Sequence, residues 1–102
     1  MSNLIESSSY WNSKGIILDR MGKHKDAIEC FEKARSISPD DFDIITNIGI
    51  SFDKLGKSDE ALNFYDLALK KQEDTKTLYN KGISLSKMGK HSEAANYFKK
   101  VL

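Results

Sequence analysis

Apolar residues in this chain come in paired runs at helical spacing, each pair divided by a short polar break that holds a glycine. Trp11, Leu18 and Met21 form the first run, and Ala27, Ile28, Phe31, Ala34 and Ile37 the second. Steps of three, four and seven residues put each run on one face of a helix. The pair returns as Ile45, Ile48, Phe52 and Leu55 followed by Ala61, Leu62, Tyr65, Ala68 and Leu69. It returns again as Leu78, Leu85 and Met88 followed by Ala94, Ala95, Phe98, Val101 and Leu102. The pattern predicts three helical hairpins built from six antiparallel helices.

The breaks keep register with one another. The tetrapeptide MGKH occurs at Met21–His24 and at Met88–His91, and LGKS at Leu55–Ser58 lies between them, 34 residues after the first and 33 before the second. All six glycines fall into two columns, Gly15, Gly49, Gly82 and Gly22, Gly56, Gly89. The second column sits between the helices of each hairpin, where a left-handed residue ends a helix and glycine enters that conformation without strain. Asp26, Asp59, Glu60 and Glu93 follow in the first turn of the next helix, where negative charge suits the helix dipole. The first column is mid-helix, where glycine costs about 1 kcal/mol against alanine. Close approach of the paired helix at the small residues Ala27, Ala61 and Ala94 is the expected compensation.

Trp11, Gly15, Leu18, Ala27, Phe31, Ala34 and Pro39 together resemble the tetratricopeptide repeat, a helix-turn-helix unit of about 34 residues, and the other two copies follow the same spacing. The resemblance covers residues 8–102. It implies an all-α fold, a right-handed α-α superhelix of three stacked hairpins, with repeats at 8–41, 42–74 and 75–102 in one domain and residues 1–7 as an N-terminal extension. Lys14 and Lys81 stand where the family usually has leucine, and the segment KKQED before Thr75 is one residue shorter than its counterpart around Pro39, so that turn should differ. Such repeats bury their apolar faces only by stacking, and about three are needed for stability. Without a polar capping helix after the sixth helix, Phe98, Val101 and Leu102 are expected to be partly bare, a surface for self-association, for continuing an array or for a partner.

Composition narrows the function. Sixteen lysines and arginines against fifteen aspartates and glutamates give a net charge of +1, which provides no strong attraction to nucleic acid or an anionic membrane. Repeat spacings of 34 and 33 likewise argue against an RNA-reading helical repeat of the pentatricopeptide kind. No window reaches the roughly 18 apolar residues of a membrane span, and the start MSNLIESSSYW lacks a basic region and an apolar core, so an unexported, cytoplasmic chain is expected. Cys30, the single cysteine, forms no internal disulfide and suits a reducing compartment.

The reactive-looking residues have structural readings. Gly-Lys-Ser at Gly56–Ser58 lacks the glycine five residues earlier that a phosphate-binding loop requires, since Ser51 stands there. His24 and His91 occupy one column two repeats apart, on the order of 20 Å, too far to share a zinc ion; packing or partial capping of the turn is expected instead. Cys30 has no histidine or cationic cluster predicted beside it. Asp19 with Lys23 and Glu29 with Lys33 read as solvated i, i+4 pairs. No enzymatic activity, cofactor or metal is expected.

In folds of the resembled kind the first helices of successive repeats line a concave groove. Its floor is expected from four matched columns: Asn12, Thr46, Tyr79; Ile16, Ile50, Ile83; Asp19, Asp53, Ser86; and Arg20, Lys54, Lys87. Either the isoleucines are half-buried packing, or they form an apolar strip beside a basic row that suits an extended peptide or amphipathic helix with acidic residues. Tyr79 is the expected anchor. Co-chaperone members of the resembled family hold an acidic chaperone tail in a carboxylate clamp. Asn47 and Lys76 match two clamp positions, whereas Asn12, Ile16 and Asn80 replace the lysine, the second asparagine and the arginine.

Overall fold

Each helix of this chain starts and stops at a signal visible in its residues. The structure, a computed structural model, describes residues 7–102; most of the expected N-terminal extension, residues 1–6, lies outside the described residues. Six helices follow in order: α1 Ser8–Arg20, α2 His24–Ile37, α3 Phe42–Lys54, α4 Ser58–Lys71, α5 Thr75–Lys87 and α6 His91–Val101. The first helix of each hairpin opens on an oxygen-bearing cap. Ser7 accepts from the Tyr10 amide, Asp41 from the amides of Asp43 and Ile44, and Asp74 from the Thr77 amide, each supplying a partner to orphan helix N–H groups.

The three hairpin turns are copies of one motif. Gly22, Gly56 and Gly89 have φ of 82°, 80° and 81°, the left-handed region that favours glycine. Their amides donate to Asp19, Asp53 and Ser86, while the amides of Lys23, Lys57 and Lys90 donate back to Leu18, Phe52 and Leu85. That pair of bonds closes the helix end and satisfies its last carbonyls. The turn after α4 does differ from the one after α2. Asp40 and Asp41 lead into α3 past Pro39, whereas only Gln72, Glu73 and Asp74 separate α4 from α5.

Mid-helix glycine has a different partner from the one expected. A Cβ added at Gly15, Gly49 or Gly82 would lie 2.5, 2.6 or 2.6 Å from a ring carbon of Phe31, Tyr65 or Phe98. The glycines therefore make room for the aromatic ring of the second helix, not mainly for Ala27, Ala61 and Ala94. Those alanines are buried beside the rings, with the Ala61 carbonyl 3.2 Å from the Gly49 position.

Between hairpins, α3 lies on α2 and α5 on α4, and the first helices also touch in sequence, α1 with α3 and α3 with α5. Ala27, Phe31 and Ala34 of α2 meet Ile44 and Ile48 of α3 to form the core, with Trp11, Ile16, Leu18, Phe52 and Phe64 packed at its edge. The result is an elongated helical-repeat solenoid, 50 × 26 × 19 Å. Among the described residues no helix is long and apolar enough to cross a membrane, and no three His, Cys, Asp or Glu side chains are grouped to hold a metal ion.

Candidate functional site: the groove of the first helices

Helices α1, α3 and α5 lie side by side, so residues one turn apart on each helix form rows across the repeats. The isoleucine row, Ile16, Ile50 and Ile83, is half-buried, and Ile16 also packs at the edge of the core. Around Ile16 and Ile50 the helices enclose a hollow of about 190 Å³, lined also by Arg20, Asn47, Lys54 and Lys76.

Polar side chains on either side of this row are held by neighbours in the next repeat. Asn47 Nδ2 donates to Asn12 Oδ1 at 3.0 Å, and Lys76 Nζ donates to Asn47 Oδ1 at 3.3 Å, a chain of bonds crossing all three repeats. Asn80 turns back to its own helix, donating to the Lys76 carbonyl. Tyr79 is half exposed at 50%, with its ring 5.8 Å from that of Phe98.

Thr46 is a correction. It shares a column with Asn12 and Tyr79, yet it is fully buried, with Oγ1 2.7 Å from that of Thr77. The central helix has neighbours on both flanks, so the same helical position closes over in the middle repeat. Thr46 does not line the groove.

The acidic and basic columns differ from the expected free basic row. Asp19 is buried, and it does not form a solvated pair with Lys23. Ser51 Oγ and Lys54 Nζ each donate to its carboxylate at 2.8 Å, and His24 Nδ1 lies 2.6 Å from Oδ1. Burial works to raise the Asp19 pKa, but the hydrogen bonds from Lys54, His24 and Ser51 outweigh it and hold the carboxyl below its ordinary value. One repeat on, Ser58 Oγ donates to Asp53 at 2.8 Å and Lys87 Nζ donates at 3.1 Å. Lys54 and Lys87 are thus tied to the aspartate of the preceding repeat. Arg20 is exposed and has no ion pair among the described residues.

This network also places the histidines of the two MGKH turns. His24 reaches Asp19, Ser58 reaches Asp53, and His91 Nδ1 lies 3.4 Å from Ser86 Oγ. The column after Gly-Lys braces the groove column five residues earlier, and the second helices have no side-chain cap at Lys23, Lys57 or Lys90. Among the residues expected to be bare, Leu102 is fully exposed and Val101 half-buried. Phe98 is half-buried over Gly82 and beside Tyr79, serving its own hairpin.

Glycine-for-aromatic exchange, left-handed glycine turns and stacked first helices define a helical-repeat protein. The chain belongs to the tetratricopeptide repeat family, whose models match residues 8–41, 44–77 and 75–102. A curated relative, the TPR repeat-containing protein MJ1428 of Methanocaldococcus jannaschii, is 40% identical over 68 residues, 67% of this chain and 12% of that protein. A second from the same organism, MJ0798, is 32% identical over 63 residues, 62% of this chain and 19% of that protein. The chain thus spans less than a fifth of either relative. Among solved structures, the first TPR domain of Spaghetti (RPAP3), bound to the HSP90 peptide SRMEEVD, superposes with a TM-score of 0.90 at 25% identity, over 93% of this chain and 78% of that one. A structure of MamA superposes with a TM-score of 0.81 at 26% identity, over 92% of this chain and 56% of that one.

Proposed function

We propose that this chain is a non-enzymatic protein-interaction module that takes an extended peptide or a helical segment of a partner protein into the groove of α1, α3 and α5. The observation that carries this reading is the floor itself. Three half-buried isoleucines lie in one row, and the polar side chains beside them are already immobilised through bonds between repeats. A pre-ordered floor loses little side-chain entropy when a ligand arrives. The peptide-bound RPAP3 domain of the same fold supports a peptide as the occupant.

Pairing of Lys54 with Asp19 and Lys87 with Asp53 changes the expected ligand chemistry. A strongly acidic segment would have to compete with those carboxylates, so the apolar row is the main source of affinity and Arg20 and Lys76 supply orientation. Chaperone-tail recognition has the weaker support, since Asn47 and Lys76 are the only clamp positions that match, and they bond to each other.

The test is capture of partners from the native host with the wild-type chain and with Ile50→Asp. Placing a carboxylate on the apolar row should remove the specifically captured protein while circular dichroism remains helical. Equal capture by the two chains would remove the groove from the account.

A further inference from the structure

Ligands able to lie across α1, α3 and α5 differ in the distance at which their side chains return to one face. Neighbouring first helices here are in direct contact. Thr46 and Thr77, both short, meet oxygen to oxygen at 2.7 Å between α3 and α5, and Ser51 reaches Asp19 at 2.8 Å between α3 and α1. Cα atoms of adjacent first helices approach within 8 Å, so the axes are about 8–10 Å apart, as in closely packed helices. Ile16, Ile50 and Ile83 hold matching positions on the three helices and therefore repeat across the groove at about that interval.

An occupant with apolar residues over all three must return to one face at the same interval. A β-strand returns every second residue, about 6.6 Å, and its third residue points away. A polyproline II segment has three residues per turn at about 3.1 Å each, so residues i, i+3 and i+6 line one face about 9.3 Å apart. An α-helix matches only at i, i+7 and i+14, about 10.5 Å apart, with its backbone groups bonded internally.

Hydrogen-bonding groups around the hollow distinguish these two. Its side-chain acceptors are already engaged: Asp19 Oδ1 by Ser51 and His24, Asp19 Oδ2 by Lys54, and Asn47 Oδ1 by Lys76. Donors remain, namely the Arg20 guanidinium, the second hydrogen of the Asn47 amide and the further hydrogens of Lys54 and Lys76. The interior backbone of a helix offers those donors nothing. An ordinary extended chain brings N–H groups for which the hollow has no unengaged side-chain acceptor. A proline-rich segment exposes its carbonyls and lacks the N–H at each proline. Tyr79, half exposed one turn before Ile83, adds the flat aromatic surface on which such segments rest.

We infer that the occupant of the groove is a proline-rich segment in the polyproline II conformation. Its apolar side chains at i, i+3 and i+6 lie over Ile16, Ile50 and Ile83, and its carbonyls turn to Arg20, Asn47 and Lys76. This ligand class presupposes the groove of the proposed function as the binding site and narrows what that groove accepts.

The probe is a fluorescein-labelled peptide, (Leu-Pro-Ser)3, titrated against the full chain by fluorescence anisotropy. It should bind, and Ile50→Asp should abolish the binding. Tyr79→Ala, at an exposed position, should weaken it about 5- to 10-fold. A peptide with every proline replaced by alanine keeps the leucine spacing but regains N–H groups and backbone freedom, and should bind about 10- to 100-fold more weakly. A stapled helix with leucines at i, i+7 and i+14 should also bind more weakly than the proline peptide. Absence of binding by the proline peptide, equal binding by the alanine peptide, preference for the stapled helix, or indifference to Ile50→Asp overturns the inference. Any of the first three, obtained while Ile50→Asp still removes the captured partner, overturns the ligand class and leaves the groove in place.

Discussion

In each hairpin a glycine and an aromatic ring act as one unit, and the energetics of that unit are local. Alanine in place of Gly49 improves helix propensity by about 1 kcal/mol. Its Cβ, however, would stand 2.6 Å from Cε1 of Tyr65, a fully buried ring, with the Ala61 carbonyl at 3.2 Å. Overpacking of a tight core costs about 1–3 kcal/mol, and a buried ring flanked by backbone has little room to retreat. Gly49→Ala is therefore expected to lower stability in urea denaturation, against the sign that propensity alone gives; a gain in stability would show that the ring moves freely. The need for glycine at these positions is legible in the spacing of the chain. Its reason was not: Phe31 lies sixteen residues from Gly15, as alanine at position 27 lies twelve away, and only the rotation of one helix about the other decides which of them faces the glycine.

At the scale of the element, the hairpin turn both reverses the chain and braces the groove. Residues that give the reversal, Gly22 and its copies, follow from conformational preference and are readable one position at a time. The brace is not fully readable that way, because only His24 of Asp19's three partners is local, while Ser51 and Lys54 come from 32 and 35 residues away. Those contacts depend on how the first helices sit against each other. Sequence spacing within one helix instead suggests Lys23, a pair the fold does not use. Thr46 has the same origin: its column is right, but burial of the central helix from both flanks is a property of the stack.

The Asp19 brace has a pH consequence. Its folded pKa lies below the ordinary value of 3.8, so its stabilisation is fully present above that value and is lost as pH falls through the folded one. Asp19→Asn should lower stability at neutral pH by about 1.5–3 kcal/mol, the range for hydrogen bonds to a charged group. The difference from wild type should shrink in acid, below the folded pKa. Urea titrations at neutral pH and in the acid range measure this; a difference that is constant with pH would mean that the carboxylate's charge is not what the brace uses.

For the whole molecule, stacking determines which columns become floor, core or open face. Repetition in the chain makes the three hairpins legible from the apolar pattern, since every copy restates the same unit, and the family resemblance adds their stacking into a solenoid. The rows of the first helices were legible as columns but not as an electrostatic surface, because Lys54 and Lys87 change meaning once Asp19 and Asp53 are their neighbours. A basic row thereby becomes a set of ties between repeats, which is why the proposed function assigns the contact surface to the isoleucine row. In the first hairpin Ile17 and Met21 are exposed, whereas Ser51 and Ser84, the counterparts of Ile17, are fully buried.

The measurement that tests the central claim most directly is an amide chemical-shift footprint of the labelled chain, titrated with the segment of the captured partner that retains binding. Shifts are expected to concentrate on α1, α3 and α5 around Ile16, Ile50, Ile83 and Tyr79, with the second helices little changed. A footprint centred on α2, α4 and α6, with the isoleucine row silent, would contradict the account.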